Sequence, residues 1–236
     1  MKNSNTKNLE SEITVKYNYS NLAYCPLDVG RVEVDEELVN LLIDKYNPGH
    51  HDGIWETLPL VGRVTSQKDF RDNLAFERAW ERRYDTNGLV LVNELVYKLL
   101  MPIYDHFNKL PITVTHAQIL RAVRDVPRHH DMKHSDGKFI DDYPDISYEP
   151  NGFKILLNNT HIDSFFICRS FDSDPVYIKL PRETNTFVIN EKRYPHGAKF
   201  LENKCVVSIF GIVDEDKAND LIERSLNKYK CYIIKF

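Results

Sequence analysis

The sequence predicts an α+β fold in which helices back a β-sandwich, and three features predict it. Apolar residues in the first half recur at helical spacing, as in Leu38, Val39, Leu41, Leu42 and Ile43. The second half breaks into short runs rich in β-branched and aromatic residues, punctuated by turn formers such as Pro150-Asn-Gly152 and Asp172-Ser-Asp-Pro175. No repeat, low-complexity stretch or Gly/Ser/Pro-rich linker divides the 236 residues, a length that supports one sizeable core. Helices first and strands later give this class.

Residues 1–12 are polar and are expected to form a flexible tail. A single domain is expected over 13–236, with 13–110 as mainly helical support and 111–236 as the strand core with a late helix. Asp35 to Tyr46 opens with acids, which suit a helix N-terminus, and Pro48-Gly49 stops it. Phe70 to Arg83 is expected to be a further helix. Asn93 to Leu110 carries Leu95, Val96, Leu99, Leu100, Ile103, Tyr104 and Phe107 on one amphipathic face, and ends before Pro111. Pro102 kinks that helix or splits it in two. Strands are expected at Ile112–Val123, Phe153–Leu157, Ser164–Cys168, Val176–Leu180, Thr186–Ile189 and Cys205–Ile212. Asp214 to Lys228 reads as a helix and Cys231 to Phe236 as a final strand.

Composition narrows the partners. A net charge of -4 and a pI of about 6.1 carry no basic excess for nucleic acid and no acidic tail for a basic partner. No apolar run reaches the roughly eighteen residues that a membrane span needs, and the N-terminus lacks the apolar stretch of a signal peptide. Cys25, Cys168, Cys205 and Cys231 are scattered, without metal-binding spacing. Cys168 and Cys205 lie in apolar runs and read as reduced core residues, which points to a cytoplasmic location.

The chemistry begins at Val126-Pro-Arg-His-His-Asp131, directly after a predicted strand. In an extended segment residues two apart point to one side, so His129 and Asp131 project an imidazole and a carboxylate together. A third ligand must come from elsewhere, and His196 in Arg193-Tyr-Pro-His-Gly-Ala198 lies between two predicted strands. Two histidines and one carboxylate form a facial triad that leaves metal positions open. A structural zinc site would be closed and would more often use cysteine. Nine histidines also produce an H-x-D by chance, and such a pattern alone reads as a solvated loop. A second pair, His134 and Asp136, competes with the first. His50-His51-Asp52 reads as a surface loop, and His116 and His161 as core or cavity residues.

These segments resemble a known family. Pro127-Arg-His-His-Asp131 looks like the H-x-D segment of Fe(II)/2-oxoglutarate-dependent oxygenases. Arg193-Tyr-Pro-His196-Gly-Ala and Lys204-Cys-Val-Val-Ser-Ile-Phe-Gly211 look like that family's distal-histidine strand and the strand after it. Gly53-Ile-Trp55-Glu-Thr-Leu-Pro-Leu-Val-Gly62 and Phe153-Lys-Ile-Leu-Leu-Asn-Asn-Thr160 resemble segments of its aspartyl/asparaginyl β-hydroxylase-like members. The resemblance runs in order over roughly residues 50–215. It implies a double-stranded β-helix, or jelly roll, with His129, Asp131 and His196 holding Fe(II), and with 2-oxoglutarate and O2 as cosubstrates.

The family commonly places an arginine after the distal histidine to hold the far carboxylate of 2-oxoglutarate. This chain has no arginine between His196 and the end of the Cys205–Ile212 run. Lys204 is the first candidate and Lys154 the second, each pairing a carboxylate as a point charge. Ser208 and Asn158 are candidates for added hydrogen bonds to the cosubstrate, with satisfied core polar groups as the plain alternative. Trp55, Trp80, Arg121, Arg124, Arg128 and Arg169 are candidates for shaping the pocket of a small-molecule or amino-acid substrate. The implied activity is hydroxylation with release of succinate and CO2. The alternatives are desaturation or ring closure at the same iron, and a jelly-roll binding module with incidental histidines.

Overall fold

The computed structural model describes residues 19–46, 50–51, 53–64, 80–85, 89–130, 150, 152–158 and 164–236. The chain opens with β1 (Leu22–Pro26), α1 (Glu36–Tyr46), β2 (His50–His51), β3 (Trp55–Val64), β4 (Trp80–Asp85), β5 (Leu89–Asn93), α2 (Glu94–Leu99) and α3 (Met101–Phe107). It continues through β6 (Ile112–Ala122), β7 (Val126–His129), β8 (Gly152–Leu156), β9 (Phe165–Ile167), β10 (Val176–Tyr177), β11 (Thr186–Ile189), β12 (His196–Ala198) and β13 (Cys205–Val213). It closes with α4 (Glu215–Lys228), a short 3-10 turn and β14 (Ile234–Lys235).

Among the described residues two antiparallel sheets form. The larger has the order β14-β1-β11-β8-β13-β6-β3-β5-β4, with β2 beside β3, and the smaller has the order β10-β9-β12-β7. From β6 to β13 the pairing is nested: β6 with β13, β7 with β12, β8 with β11 and β9 with β10. The chain therefore folds back on itself as one long ribbon whose strands alternate between the sheets.

The period-two alternation of strands decides which side chains serve which layer. On β13, Cys205, Val207 and Ile209 join the core beneath the helices, with Val39, Leu42 and Ile43 of α1, Ile103 of α3 and Leu221 and Ile222 of α4. Phe153 and Ile155 of β8 point the same way. The intervening positions, Lys154 on β8 and Val206 and Ser208 on β13, therefore face the smaller sheet. A second core between the sheets gathers Tyr24, Leu156, Ile167, Phe187 and Ile189. There Tyr24 donates its hydroxyl hydrogen to the Lys179 carbonyl at 2.7 Å, which satisfies its polar end.

Most of the later elements fall where the sequence places them. The late helix is capped by Asp214, whose carboxylate accepts from the Lys217 N–H at 3.2 Å. The expected long helix is split at Leu100, with Pro102 in the first turn of α3, where its missing N–H costs nothing.

The stretch 13–110 departs from the helical reading, because β1, β3, β4 and β5 contribute as much as the helices. Pro59 hides β3 in the sequence, since proline cannot donate to a ladder. The fold accommodates it with a register shift against β6 between Pro59 and Val61. Within the expected helix Phe70–Arg83, residues 80–83 are extended and residues 80–82 pair with β5, so sheet pairing overrides local propensity there; residues 70–79 lie outside the described residues. Residues 1–18 also lie outside them. Cys25, Cys168 and Cys205 are buried and Cys231 is exposed. Among the described residues no helix is long and apolar enough to cross a membrane.

Candidate metal centre

β7 and β12 bring two imidazoles together. His129 and His196 are directly paired across the ladder, with ring centres 4.5 Å apart and planes at 47°. Between the pairs His196↔His129 and Ala198↔Val126, β7 carries one residue more than β12. This bulge lets both Val126 and His129 face the interior despite their spacing. Gly197 makes the close approach possible. A Cβ there would lie 2.6 Å from both the Phe166 ring and the Val126 carbonyl oxygen.

Backbone carbonyls orient both rings. His129 Nδ1 lies 2.8 Å from the Pro127 carbonyl and His196 Nδ1 lies 3.4 Å from the Tyr194 carbonyl. With the hydrogen on Nδ1 in each, both Nε2 atoms keep the lone pair that a metal takes.

A buried charge cluster lies beside them. Lys154 Nζ is 2.5 Å from Glu191 Oε1 and donates to Ser208 Oγ at 3.1 Å. Lys154 and Ser208 are cross-strand partners of β8 and β13, so this contact follows from register. Glu191 Oε1 is also 3.7 Å from His196 Nε2. The Glu191 side chain is 0% exposed, so its charge depends on partners rather than on water.

The imidazoles and Lys154 open onto a cavity whose wall is otherwise mainly apolar and includes Trp55, Phe165 and Phe187. A few polar groups at one end of an apolar cleft are the usual make-up of a small-molecule site.

The sequence-predicted residues divide accordingly. His129, His196, Lys154 and Trp55 line the cavity, and Ser208 reaches it through Lys154. Lys204 does not line it. Its Nζ lies 3.4 Å from the centre of the Phe165 ring, is buried without a hydrogen-bond partner among the described residues, and is pushed by burial down to about 7. Asn158 braces the turn before β13, accepting from the Cys205 N–H at 3.1 Å and donating to the Asn203 carbonyl.

Arg121 is held by Asp44, Glu56 and Asn40, and so ties α1 to β3 and β6. Arg128 donates to the Phe171 carbonyl. His116 packs against Phe210, and burial pushes it down to about 4. Asp131, the competing pair His134 and Asp136, and His161 lie outside the described residues, as does the side chain of Trp80. Among the described residues no three His, Cys, Asp or Glu side chains gather as a metal site.

Glu191 is the residue that sequence reasoning missed. Asn190-Glu191 reads as a turn, and its backbone is one, but its side chain turns inward. The available signal was indirect: a lysine inside the apolar run Phe153–Leu157 needs a buried counter-charge.

No family model matches the chain, and no curated protein matches it in sequence. Among solved structures it is similar to an oxidoreductase of the 2OG-Fe(II) oxygenase family from Burkholderia pseudomallei, at 14% identity and a TM-score of 0.37, covering 75% of this chain and 77% of that one. It is also similar to a prolyl-4-hydroxylase from Pseudomonas putida, at 11% identity and a TM-score of 0.33, covering 82% of this chain and 95% of that one.

Proposed function

We propose that this chain is an Fe(II)- and 2-oxoglutarate-dependent oxygenase that hydroxylates a small molecule or an amino-acid side chain. The observation that carries the reading is the facing pair His129 and His196, each with Nδ1 against a backbone carbonyl, at the polar end of an apolar cavity. Asp131 completes the ligand set in this reading, two residues from His129 on the same segment.

The donor set fits the metal. Two neutral imidazoles and one carboxylate leave open positions, which suits Fe(II) with a chelating cosubstrate better than structural zinc. The nested strand pairing supports the double-stranded β-helix as the core. In that fold the two histidines come from paired strands of the smaller sheet, and Lys154 and Ser208 from the facing strands of the larger one.

When bound, the iron with 2-oxoglutarate and O2 supplies the oxidation: the cosubstrate leaves as succinate and CO2, and the substrate gains one oxygen atom. The protein's own residues prepare the place. The Pro127 and Tyr194 carbonyls fix the imidazole orientations. Lys154, steadied by Ser208, offers the charge for the far carboxylate of the cosubstrate. Trp55, Phe165 and Phe187 keep the substrate space apolar and dry.

The test is oxygen-dependent succinate formation from 2-oxoglutarate, with Fe(II) and ascorbate, in wild type and in His129→Ala, Asp131→Ala and His196→Ala. Loss in all three supports the assignment. Activity kept in Asp131→Ala but lost in Asp136→Ala moves the carboxylate ligand to the later pair. Oxygen-dependent succinate formation that persists in His196→Ala contradicts the site.

A further inference from the structure

We propose that Glu191 is a resident counter-carboxylate that holds Lys154 when no cosubstrate is bound, and so sets how strongly the cavity favours a dicarboxylic 2-oxo acid over a monocarboxylic one. This rests on the oxygenase reading and adds a residue to it.

Three observations place Glu191 in that role. Its Oε1 lies 2.5 Å from Lys154 Nζ, so the cavity's lysine already carries a carboxylate. Its side chain is 0% exposed, so the pair is formed away from water, where breaking it is costly. It is also seated on a glycine: a Cβ at position 152 would overlap the Glu191 carboxyl group. Gly152 faces it from β8, beside Lys154 and without positive φ, so its missing side chain is used as space and not as backbone freedom.

The backbone of Glu191 has contacts of its own, separate from the contact of its carboxylate with Lys154. The carbonyl of Glu191 lies 3.3 Å from His130 Nδ1, and Asn190 N–H donates to the Ala23 carbonyl at 3.0 Å. Displacement is therefore a side-chain rotation that leaves the turn, and His196 after it, in place. An incoming carboxylate that reaches Lys154 meets Glu191 as a like charge. One of the two must leave, and the free energy of parting the buried pair is subtracted from the binding of any ligand with a carboxylate at that end. A 2-oxo acid without a second carboxylate does not contend with Glu191.

The test compares 2-oxoglutarate with 2-oxobutanoate by titration calorimetry on the Mn(II)-loaded protein, a binding readout that needs no turnover. Glu191→Gln removes the charge and keeps the shape. Gly152→Ala keeps the charge and fills its seat with a methyl group, so the flexible carboxylate must swing away. Each is expected to tighten 2-oxoglutarate about tenfold or more while 2-oxobutanoate stays within about twofold. In a Lys154→Gln background, Glu191→Gln is expected to add little. Wild-type Mn(II) binding with 2-oxoglutarate unshifted or weakened in both variants, or both acids shifted alike, overturns the role of Glu191 and leaves the oxygenase reading standing. Failure of the wild-type protein to bind Mn(II) overturns the oxygenase reading and this role with it.

Discussion

His129 and His196 stand opposite one another across the β7–β12 ladder with ring centres 4.5 Å apart, and each keeps Nδ1 on the carbonyl of the residue two before it. The arrangement links register to chemistry. A shift of either strand by one residue would turn one imidazole away from the other, so whatever perturbs this ladder should act on ligand binding before it acts on the global fold.

Gly197→Ala tests that link. The added methyl group meets the Val126 carbonyl oxygen, a backbone atom that cannot rotate away, as well as the Phe166 ring. Destabilisation of about 1–3 kcal/mol is expected in urea titration. Mn(II) affinity, read by calorimetry, should fall by more than that destabilisation accounts for. Unchanged metal affinity would separate His196 from the register of β12.

Lys154→Met should be the most damaging single change at the cavity, because it leaves the buried Glu191 carboxylate without its closest cation. Breaking a buried pair from one side costs about 3–5 kcal/mol. Adding Glu191→Gln should return much of that loss. A double variant as unstable as the sum of the two singles would contradict the pairing.

Lys204 gives a pH signature. Burial lowers its folded value to about 7, below its ordinary value, so between these limits the unfolded chain holds a proton that the folded chain has released. The sign follows: stability contributed by this group rises as pH climbs from about 7 toward 10, and below 7 the folded state bears the cost of a buried ammonium. Lys204→Met should therefore stabilise the protein by about 1–3 kcal/mol near pH 6. It should also flatten the rise at alkaline pH. Denaturant midpoints measured across pH would show both effects, and a parallel curve in the variant would contradict them.

Ile43→Ala reports on the helix-side core. Ile43 is 0% exposed, where α1 packs on the larger sheet. A loss of about 2–5 kcal/mol is expected, with the range set by how far the site collapses. Since Ile43 faces away from the cavity, thermal denaturation should move while Mn(II) affinity does not.

The sequence made some of this legible and withheld the rest for physical reasons. β6, β8, β11 and β13 could be read because buried strands are near-continuous runs of β-branched and aromatic residues. α4 falls within the stretch Asp214 to Lys228 that reads as a helix. β3 could not be read, because Pro59 breaks its run and the bulge that tolerates it exists only in the pairing with β6. The pairing of His129 with His196 was legible only as a requirement for a third ligand, since register between distant strands leaves no local mark. Lys154 and Lys204 look alike in sequence, one inside a strand and one immediately before another, each with the parity of that strand's cavity face. The Phe165 ring separates their surroundings, and ring positions are set by packing. Glu191 was hidden for a related reason: a turn reads as exposed, and the inward course of its side chain depends on Gly152, distant in sequence.

The most direct measurement is the visible absorbance of the protein with Fe(II) and 2-oxoglutarate under anaerobic conditions, in wild type and in His129→Ala, Asp131→Ala and His196→Ala. A metal-to-ligand charge-transfer band that forms in wild type and is lost in all three variants is the predicted result. A band of undiminished intensity in His129→Ala or His196→Ala, or none in the wild-type protein, would contradict the proposed centre.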